Sequence, residues 1–287
     1  MNVHTARVIL ARNARRVQQT PGAFSNWSEL LRGLAAEKVG RGPETLHFKT
    51  RTGLKIDTPN HPGARVPIYE IFAEDTYHLR WFVGGLGTGP INVLDIGGHV
   101  GTFSCQFASE YPQASIWVYE PSAKSAEFLR GNVADNGFSD RIHVTQAAVA
   151  RSTGVAVFDD NNAGSGHNGL VAGKRRLIDE DHNPASGRLV EVATVALDEA
   201  IAAAGGTIDV IKVDSEGAEY DMIYGSDPSS WASVKRLVLE YHDVEGQSWE
   251  ELQAWLGKVG LTVVKQDPKT ARLGTAWLSR DPLPAGS

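Results

Sequence analysis

From residue 91 onward the sequence switches repeatedly between two hydrophobic periods, and no other feature limits its folding options as much. Ile91 to Ile96 is a short apolar run, after which Val100, Phe103, Phe107 and Tyr111 recur at helical spacing. Ile116 to Tyr119 reads as a second strand, Ala126, Leu129 and Val133 as the next helix, and Ile142 to Thr145 as a third strand. The alternation resumes with a helix at Leu197 to Ala203, a strand at Ile208 to Val213, a short helix at Gly217 to Tyr224 and a strand at Leu237 to Tyr241. Trp249 to Val259 gives the last helix, and Leu261 to Val264 with Ala276 to Leu278 a closing antiparallel pair. This order predicts an α/β fold, a doubly wound sheet with helices on both faces. Residues 151–190 interrupt it. Their run Asn161-Asn162-Ala163-Gly164-Ser165-Gly166-His167-Asn168-Gly169 reads as an exposed inserted loop, the kind of segment that often carries function.

Residues 1–89 follow another pattern. The first forty read as helices, with Asn26-Trp27-Ser28-Glu29 resembling a capping box ahead of Leu30, Leu31 and Leu34. Leu46 and Phe48 alternate before Thr52-Gly53, which predicts a short hairpin. Ile68, Ile71, Phe72, Leu79 and Phe82 then suggest one helix, ended by the glycine-rich stretch Gly84 to Pro90. The expected division is a helical cap or lid with a hairpin over residues 1–89 and a ligand-binding core over residues 90–287.

Charge and cysteine content narrow the functions. With 28 Lys+Arg against 34 Asp+Glu the net charge is −6, the wrong sign for a protein whose main partner is nucleic-acid phosphate. Cys105 is the single cysteine, so neither an internal disulfide nor a cysteine-built zinc site is available. The stretch Val8-Ile9-Leu10 is cut by Arg7, Arg12, Arg15 and Arg16 and lacks the apolar segment of a signal peptide. No apolar run approaches the ~20 residues needed to span a bilayer. A cytoplasmic protein with a small-molecule partner, no nucleic acid and no membrane contact is expected; a homodimer is left open.

Val93-Leu94-Asp95-Ile96-Gly97-Gly98-His99-Val100-Gly101 places glycines between a strand and a helix, where a ligand must approach backbone closely. Glu120 follows at the end of the second strand, where a carboxylate accepts hydrogen bonds from both hydroxyls of a ribose. A dinucleotide dehydrogenase needs the same two features. The G-x-G-x-x-G spacing is absent, however, and the D-x-G-x-x-x-G pattern starting at Asp95 brings an acid to the strand end. That charge suits the sulfonium or amino group of S-adenosylmethionine better than a pyrophosphate. Asp95, Gly97, Gly101 and Glu120 are therefore the expected donor-binding residues. A nicotinamide-dependent oxidoreductase and a non-catalytic nucleoside-binding module remain as rivals.

Five segments carry a family resemblance. They are Ile71 to Tyr77, Leu94 to Ser104, Glu120-Pro121, Ile211 to Glu219, and Leu239-Glu240-Tyr241-His242. Together they resemble the FkbM-type S-adenosylmethionine-dependent methyltransferases. The resemblance implies a seven-stranded Rossmann-like class I methyltransferase sheet and S-adenosylmethionine as the donor. It also implies methylation of a hydroxyl on a sugar, polyketide or other specialised metabolite, with nitrogen or carbon acceptors as alternatives. Glu74 and Tyr77, three apart on one expected helix face, would close over the cofactor. His99 stands where the family often has Asn.

Methyl transfer needs an acceptor atom held in line and one proton managed. Asp214, Glu216 and His242, at the ends of two successive core strands, are the candidates, with Asp214 counted on the donor side as well. An unperturbed imidazole, pKa near 6.5, would be a base near neutral pH. Glu219 reads as a helix-terminus acid. Asp214, Glu216, Glu240, His242 and Asp243 offer ligands suited to Mg²⁺, but spacing alone does not bring them together, and no metal is assigned. His167 and Asn168 could touch an acceptor from the inserted loop.

Overall fold

The computed structural model describes residues 14–37, 39–160, 169–170 and 188–283. Residues 1–13, with Arg7 and Arg12, lie outside them, as do His167 and Asn168. The chain enters through α1 (residues 14–23) and α2 (Trp27–Glu37), followed by the hairpin of β1 (Thr45–Lys49) and β2 (Lys55–Pro59). The side chain of Asn26 is used differently from the capping box expected of it. Its Oδ1 accepts from Lys49 N at 3.0 Å and its Nδ2 donates to His47 O at 2.7 Å, which ties the start of α2 to β1.

The one helix expected across Ile68 to Val83 is two, α3 (Val66–Phe72) and α4 (Leu79–Val83). Asp75 and His78 both have φ of 48°, a left-handed conformation that interrupts the helical ladder. Glu74 and Tyr77 fall in this break, so they do not share a helix face.

The core runs β3 (Ile91–Ile96), α5 (Thr102–Glu110), β4 (Ala114–Tyr119), α6 (Ala123–Asp135) and β5 (Ile142–Thr145). An excursion of four strands follows, β6 (Ala148–Ala150), β7 (Gly154–Asp160), β8 (Gly169–Leu170) and β9 (Arg188–Ala196). The chain then returns through α7 (Leu197–Ala203), β10 (Val210–Val213), α8 (Glu219–Gly225), β11 (Arg236–Tyr241), α9 (Trp249–Lys258), β12 (Thr262–Thr270) and β13 (Leu273–Ser279). The main sheet has seven strands in the order β12-β13-β11-β10-β3-β4-β5. β11, β10, β3, β4 and β5 are parallel, and β13 is antiparallel to both of its neighbours. This is the doubly wound seven-stranded arrangement that the resemblance implies. Winding reverses between β3 and β10, so the crevice at the carboxyl ends of these two strands is the expected ligand site.

Strand periodicity explains the layering. On β3, Val93 packs into one buried cluster while Leu94 and Ile96 enter the other; on β11, Val238 joins the first while Leu237 and Leu239 join the second. The first cluster also takes in Phe24, Leu46, Phe48 and Ile68, so one hydrophobic core crosses the boundary expected at residues 89/90. Asn132 on α6 and Asn136 just past its end secure the hairpin to this core. Asn132 exchanges hydrogen bonds with the backbone of Asp57, and Asn136 with that of Lys55, as a neighbouring strand would.

The loop expected over residues 151–190 is in its described part a second sheet, ordered β6-β9-β7-β8. β7 pairs antiparallel with β9 from Gly154↔Thr194 to Asp160↔Arg188. Ala148, Phe158 and Val192 are buried between its strands, which is enough apolar surface to hold a small sheet at the rim of the crevice.

Candidate active site

A cleft of about 1090 Å³ opens over the carboxyl ends of β3, β4, β10 and β11. Its floor is the turn from β3 into α5. Gly97 has φ of 79°, and a Cβ there would stand 1.8 Å from the carbonyl oxygen of Asp214, so this close approach of two strand ends admits only glycine. Gly101, φ 85°, begins α5. His99 is left-handed as well, φ 49°. Asn and His are among the side chains that tolerate this conformation best, which gives a backbone reason for His in the place of Asn.

Glu120, buried at the end of β4, lines the cleft beside this turn. His99 N donates to its Oε2 and Ser122 N to its Oε1, both at 2.8 Å. Each carboxylate oxygen thus has one backbone donor and retains acceptor capacity, so the side chain is fixed and ready for a vicinal pair of hydroxyls. Burial pushes its pKa up to about 7, against the downward pull of the two backbone donors and Lys212.

Asp95 lies elsewhere. It is fully buried, it does not line the cleft, and it sits directly across the β3–β10 ladder from Lys212. Lys212 Nζ is 3.3 Å from Asp95 Oδ1, and Ser104 Oγ donates to Asp95 Oδ2 at 2.6 Å. The contact expected between Asp95 and a sulfonium is therefore replaced by an internal ion pair, because Lys212 already neutralises the acid from within the sheet. Lys212 also donates to Gly97 O at 2.6 Å and lies 3.9 Å from Asp214 Oδ2. One buried ammonium thus props both sides of the crevice. Sequence reasoning passed over Lys212, although a lone charge inside the apolar run of β10 was a usable signal.

Asp214, Glu216 and His242 do come together, with one donor atom from each lying within 4.8 Å of the others, a spacing one small cation could also share. The segment after β10 is bent to achieve this. Glu216 is left-handed at φ 54° and Gly217 follows at 107°, which turns the glutamate toward the cleft. His242, buried just past β11, has Nε2 3.5 Å from Glu216 Oε2 and Nδ1 3.1 Å from Glu219 Oε1. Glu219 is more than a helix-terminus acid. Its carboxylate also accepts from His242 N at 2.8 Å, Gly217 N at 2.9 Å and Ser215 Oγ at 3.2 Å, so it anchors both the bend and the imidazole.

These contacts set the charges. Burial alone lowers the pKa of His242, but the carboxylates of Glu219 and Glu216 on either side reverse this and raise it to about 9. At neutral pH the ring is an imidazolium, so the base expected from an unperturbed histidine is not available in this state. Burial raises the pKa of Asp214, and Glu240 adds to the effect, so its carboxylate is more basic than an ordinary aspartate.

The remaining expected residues are dispersed. Glu74 turns toward α1, accepting from Gln19 Nε2 at 3.2 Å with Arg15 at 3.6 Å, and it does not line the cleft. Tyr77 is buried at the junction of cap and sheet, edge-on to Phe103 at 5.4 Å, while its carbonyl accepts from Trp277 Nε1. Asp243 is paired with Arg272 at 2.9 Å. Glu240 lines the cleft and is bonded to Lys269 at 2.6 Å. Glu70 and Lys269 also line the cleft, and sequence reasoning missed both.

The family described as "Methyltransferase FkbM domain" matches residues 95–261, more than half of the chain. The chain belongs to the FkbM methyltransferase family. It is 29% identical over 246 residues to the 31-O-demethyl-FK506 methyltransferase FkbM of Streptomyces tacrolimicus, covering 78% of this chain and 92% of that protein. It is 25% identical over 197 residues to the methyltransferase sdnD of Sordaria araneosa, covering 62% of this chain and 74% of that one. Among solved structures, the magnesium protoporphyrin IX methyltransferase ChlM of Synechocystis PCC 6803 with bound SAM overlaps at a TM-score of 0.44 and 12% identity, over 76% of this chain and 82% of that one.

Family membership makes the protein an S-adenosylmethionine-dependent methyltransferase and sets the nicotinamide alternative aside. The residues present fit that donor. Glu120 offers acceptors for the ribose hydroxyls, the backbone at Gly97 leaves room where any Cβ would intrude, and the further acids lining the cleft, Glu70, Asp214, Glu216 and Glu240, suit a ligand that carries positive charge.

Proposed function

We propose that this FkbM methyltransferase O-methylates a hydroxyl on a small specialised metabolite, a sugar, polyketide or related compound, in the cytoplasm. The observation that carries the reading is the convergence of Asp214, Glu216 and His242 within 4.8 Å beside the glycine turn. Bound S-adenosylmethionine supplies an electrophilic methyl group. The chain's own groups orient the acceptor and take its proton. Asp214, partly open to the cleft and made more basic by burial, is the proton acceptor. Glu216 orients the acceptor hydroxyl, while imidazolium His242, pinned by Glu219, holds Glu216 in place. The similarity to an enzyme named for a demethylated FK506 oxygen supports a hydroxyl acceptor. Glu70, Asp214, Glu216 and Glu240 around the cleft disfavour a phosphate-rich acceptor such as a nucleic acid.

The test is transfer from methyl-tritiated donor to a panel of hydroxylated polyketides and sugars, with the product bond identified by mass spectrometry. An O-methyl ether is expected, and Asp214→Asn should lower kcat by about 10²–10⁴ while S-adenosylhomocysteine affinity stays within about threefold. Label found only on nitrogen or carbon, or full activity in the Asn variant, would overturn the assignment.

A further inference from the structure

Glu70 has no part in the methyl-transfer step proposed above, yet it lines the cleft. It projects from α3, and among the described residues its carboxylate makes no hydrogen bond or ion pair. The charges that face it are Lys269 from β12, Glu240 from β11, Asp214 after β10 and Arg16 from α1. Glu120 is held by the backbone donors of Ser122 and His99, and the charges that face it are Lys212 and Asp95, so the two acids belong to different parts of the same cleft. Lys269 is the only lysine or arginine among the described lining residues, and its ammonium is bonded at 2.6 Å to Glu240. Asp214 is answered by Lys212 at 3.9 Å and Glu240 by Lys269 at 2.6 Å, whereas the half-buried Glu70 has no bonded counter-charge of its own. A carboxylate held there without a partner is costly unless a ligand brings positive charge.

A ligand with that charge is already implied. The methionine end of the donor carries an ammonium and a carboxylate, and this corner holds an unpaired acid beside a lysine whose ammonium has three donors and one assigned partner. We propose that Glu70 binds the α-ammonium of S-adenosylmethionine, with Lys269 placed for the α-carboxylate, so that the cap contributes a zwitterion-reading site to donor recognition. This replaces the role expected of Glu74, four residues later and past the end of α3, and it rests on the donor assignment above.

The test is a double-mutant cycle between protein and ligand, read by calorimetry. The ligands are S-adenosylhomocysteine and its deaminated analogue, which keeps the carboxylate and lacks the ammonium. Wild type should prefer S-adenosylhomocysteine by about tenfold or more. Glu70→Gln should bring that preference to within about twofold, by weakening S-adenosylhomocysteine and sparing the analogue. A variant that weakens both ligands equally makes Glu70 a packing residue, and one that weakens neither removes it from the site; either result overturns the proposal. Wild type alone gives a second reading should Glu70→Gln fail to fold. Burial raises the Glu70 pKa to about 7, so the preference for the ammonium-bearing ligand should grow from pH 6 to pH 8, and a constant preference would contradict the assignment. 5′-Methylthioadenosine separates the two levels. If it fails to bind wild type, the donor assignment falls as well; if it binds while the preference is absent, only the Glu70 proposal falls.

Discussion

Exchanging Glu219 for Gln keeps the size of a fully buried side chain and removes its charge. Four donors converge on that carboxylate, from Ser215 Oγ, Gly217 N, His242 N and His242 Nδ1, at 3.2, 2.9, 2.8 and 3.1 Å. An amide has one oxygen where the carboxylate has two, so some of these donors would face an NH₂ group. His242 would keep Glu216, at 3.5 Å, as its nearest remaining counter-charge. Removing one partner of a buried, hydrogen-bonded ion pair costs about 3–5 kcal/mol. At about 2–4 °C per kcal/mol, the melting temperature at pH 7 should fall by roughly 6–20 °C.

The pH dependence gives an independent reading of the same substitution. A histidine whose folded-state pKa is raised from 6.5 to about 9 contributes stability that is fully present below pH 6.5 and is lost as pH rises through 9. Wild type should lose on the order of 3 kcal/mol from this group between pH 6.5 and pH 9.5, and Glu219→Gln should lose much less. Urea denaturation at pH 6.5, 8 and 9.5 measures both slopes. A variant that melts within 2 °C of wild type, or that declines with pH as steeply, would refute the reasoning.

Three other substitutions probe separate parts of the crevice. Gly97→Ala would force a Cβ to within 1.8 Å of Asp214 O in a left-handed backbone, and a stability loss of about 2–5 kcal/mol with weakened S-adenosylhomocysteine binding is expected from denaturation and calorimetry. Lys212→Met would leave Asp95 buried without its counter-charge; a loss of about 3–5 kcal/mol is expected by the same denaturation assay, and a neutral result would remove the ion pair as a support of the glycine turn. Glu120→Gln should weaken S-adenosylhomocysteine binding by about 1–3 kcal/mol. Because burial raises the Glu120 pKa to about 7, wild-type affinity should climb from pH 6 to pH 8 as the carboxylate ionises, with a weaker pH response in the Gln variant.

Much of the core was legible because its strands are short, apolar and separated by helical spacing. β3, β4, β5, β10 and β11 fall close to where periodicity placed them. Failures came where long-range or backbone effects decide. The break at Asp75 and His78 depends on left-handed residues that hydrophobic spacing does not register. β7 and β9 pair across a long polar interval, so neither signals its partner locally. In the site, the glycine turn and Glu120 were readable from the sequence, and so were Asp214, Glu216 and His242 as candidates at strand ends, but their convergence depends on the packing of β10 beside β11, which spacing does not show. Asp95 was misplaced because its environment depends on strand register, which sets it opposite Lys212. Glu70 was missed for a related reason, since it faces the acids of β10 and β11 only after the cap has folded over them.

A crystal structure of the protein with S-adenosylhomocysteine bears most directly on how the crevice works. The ribose hydroxyls are expected on the two oxygens of Glu120, with the sulfur directed toward Asp214 and Glu216. Nucleoside density elsewhere on the molecule, or a ribose that avoids Glu120 at saturating ligand, would contradict this assignment.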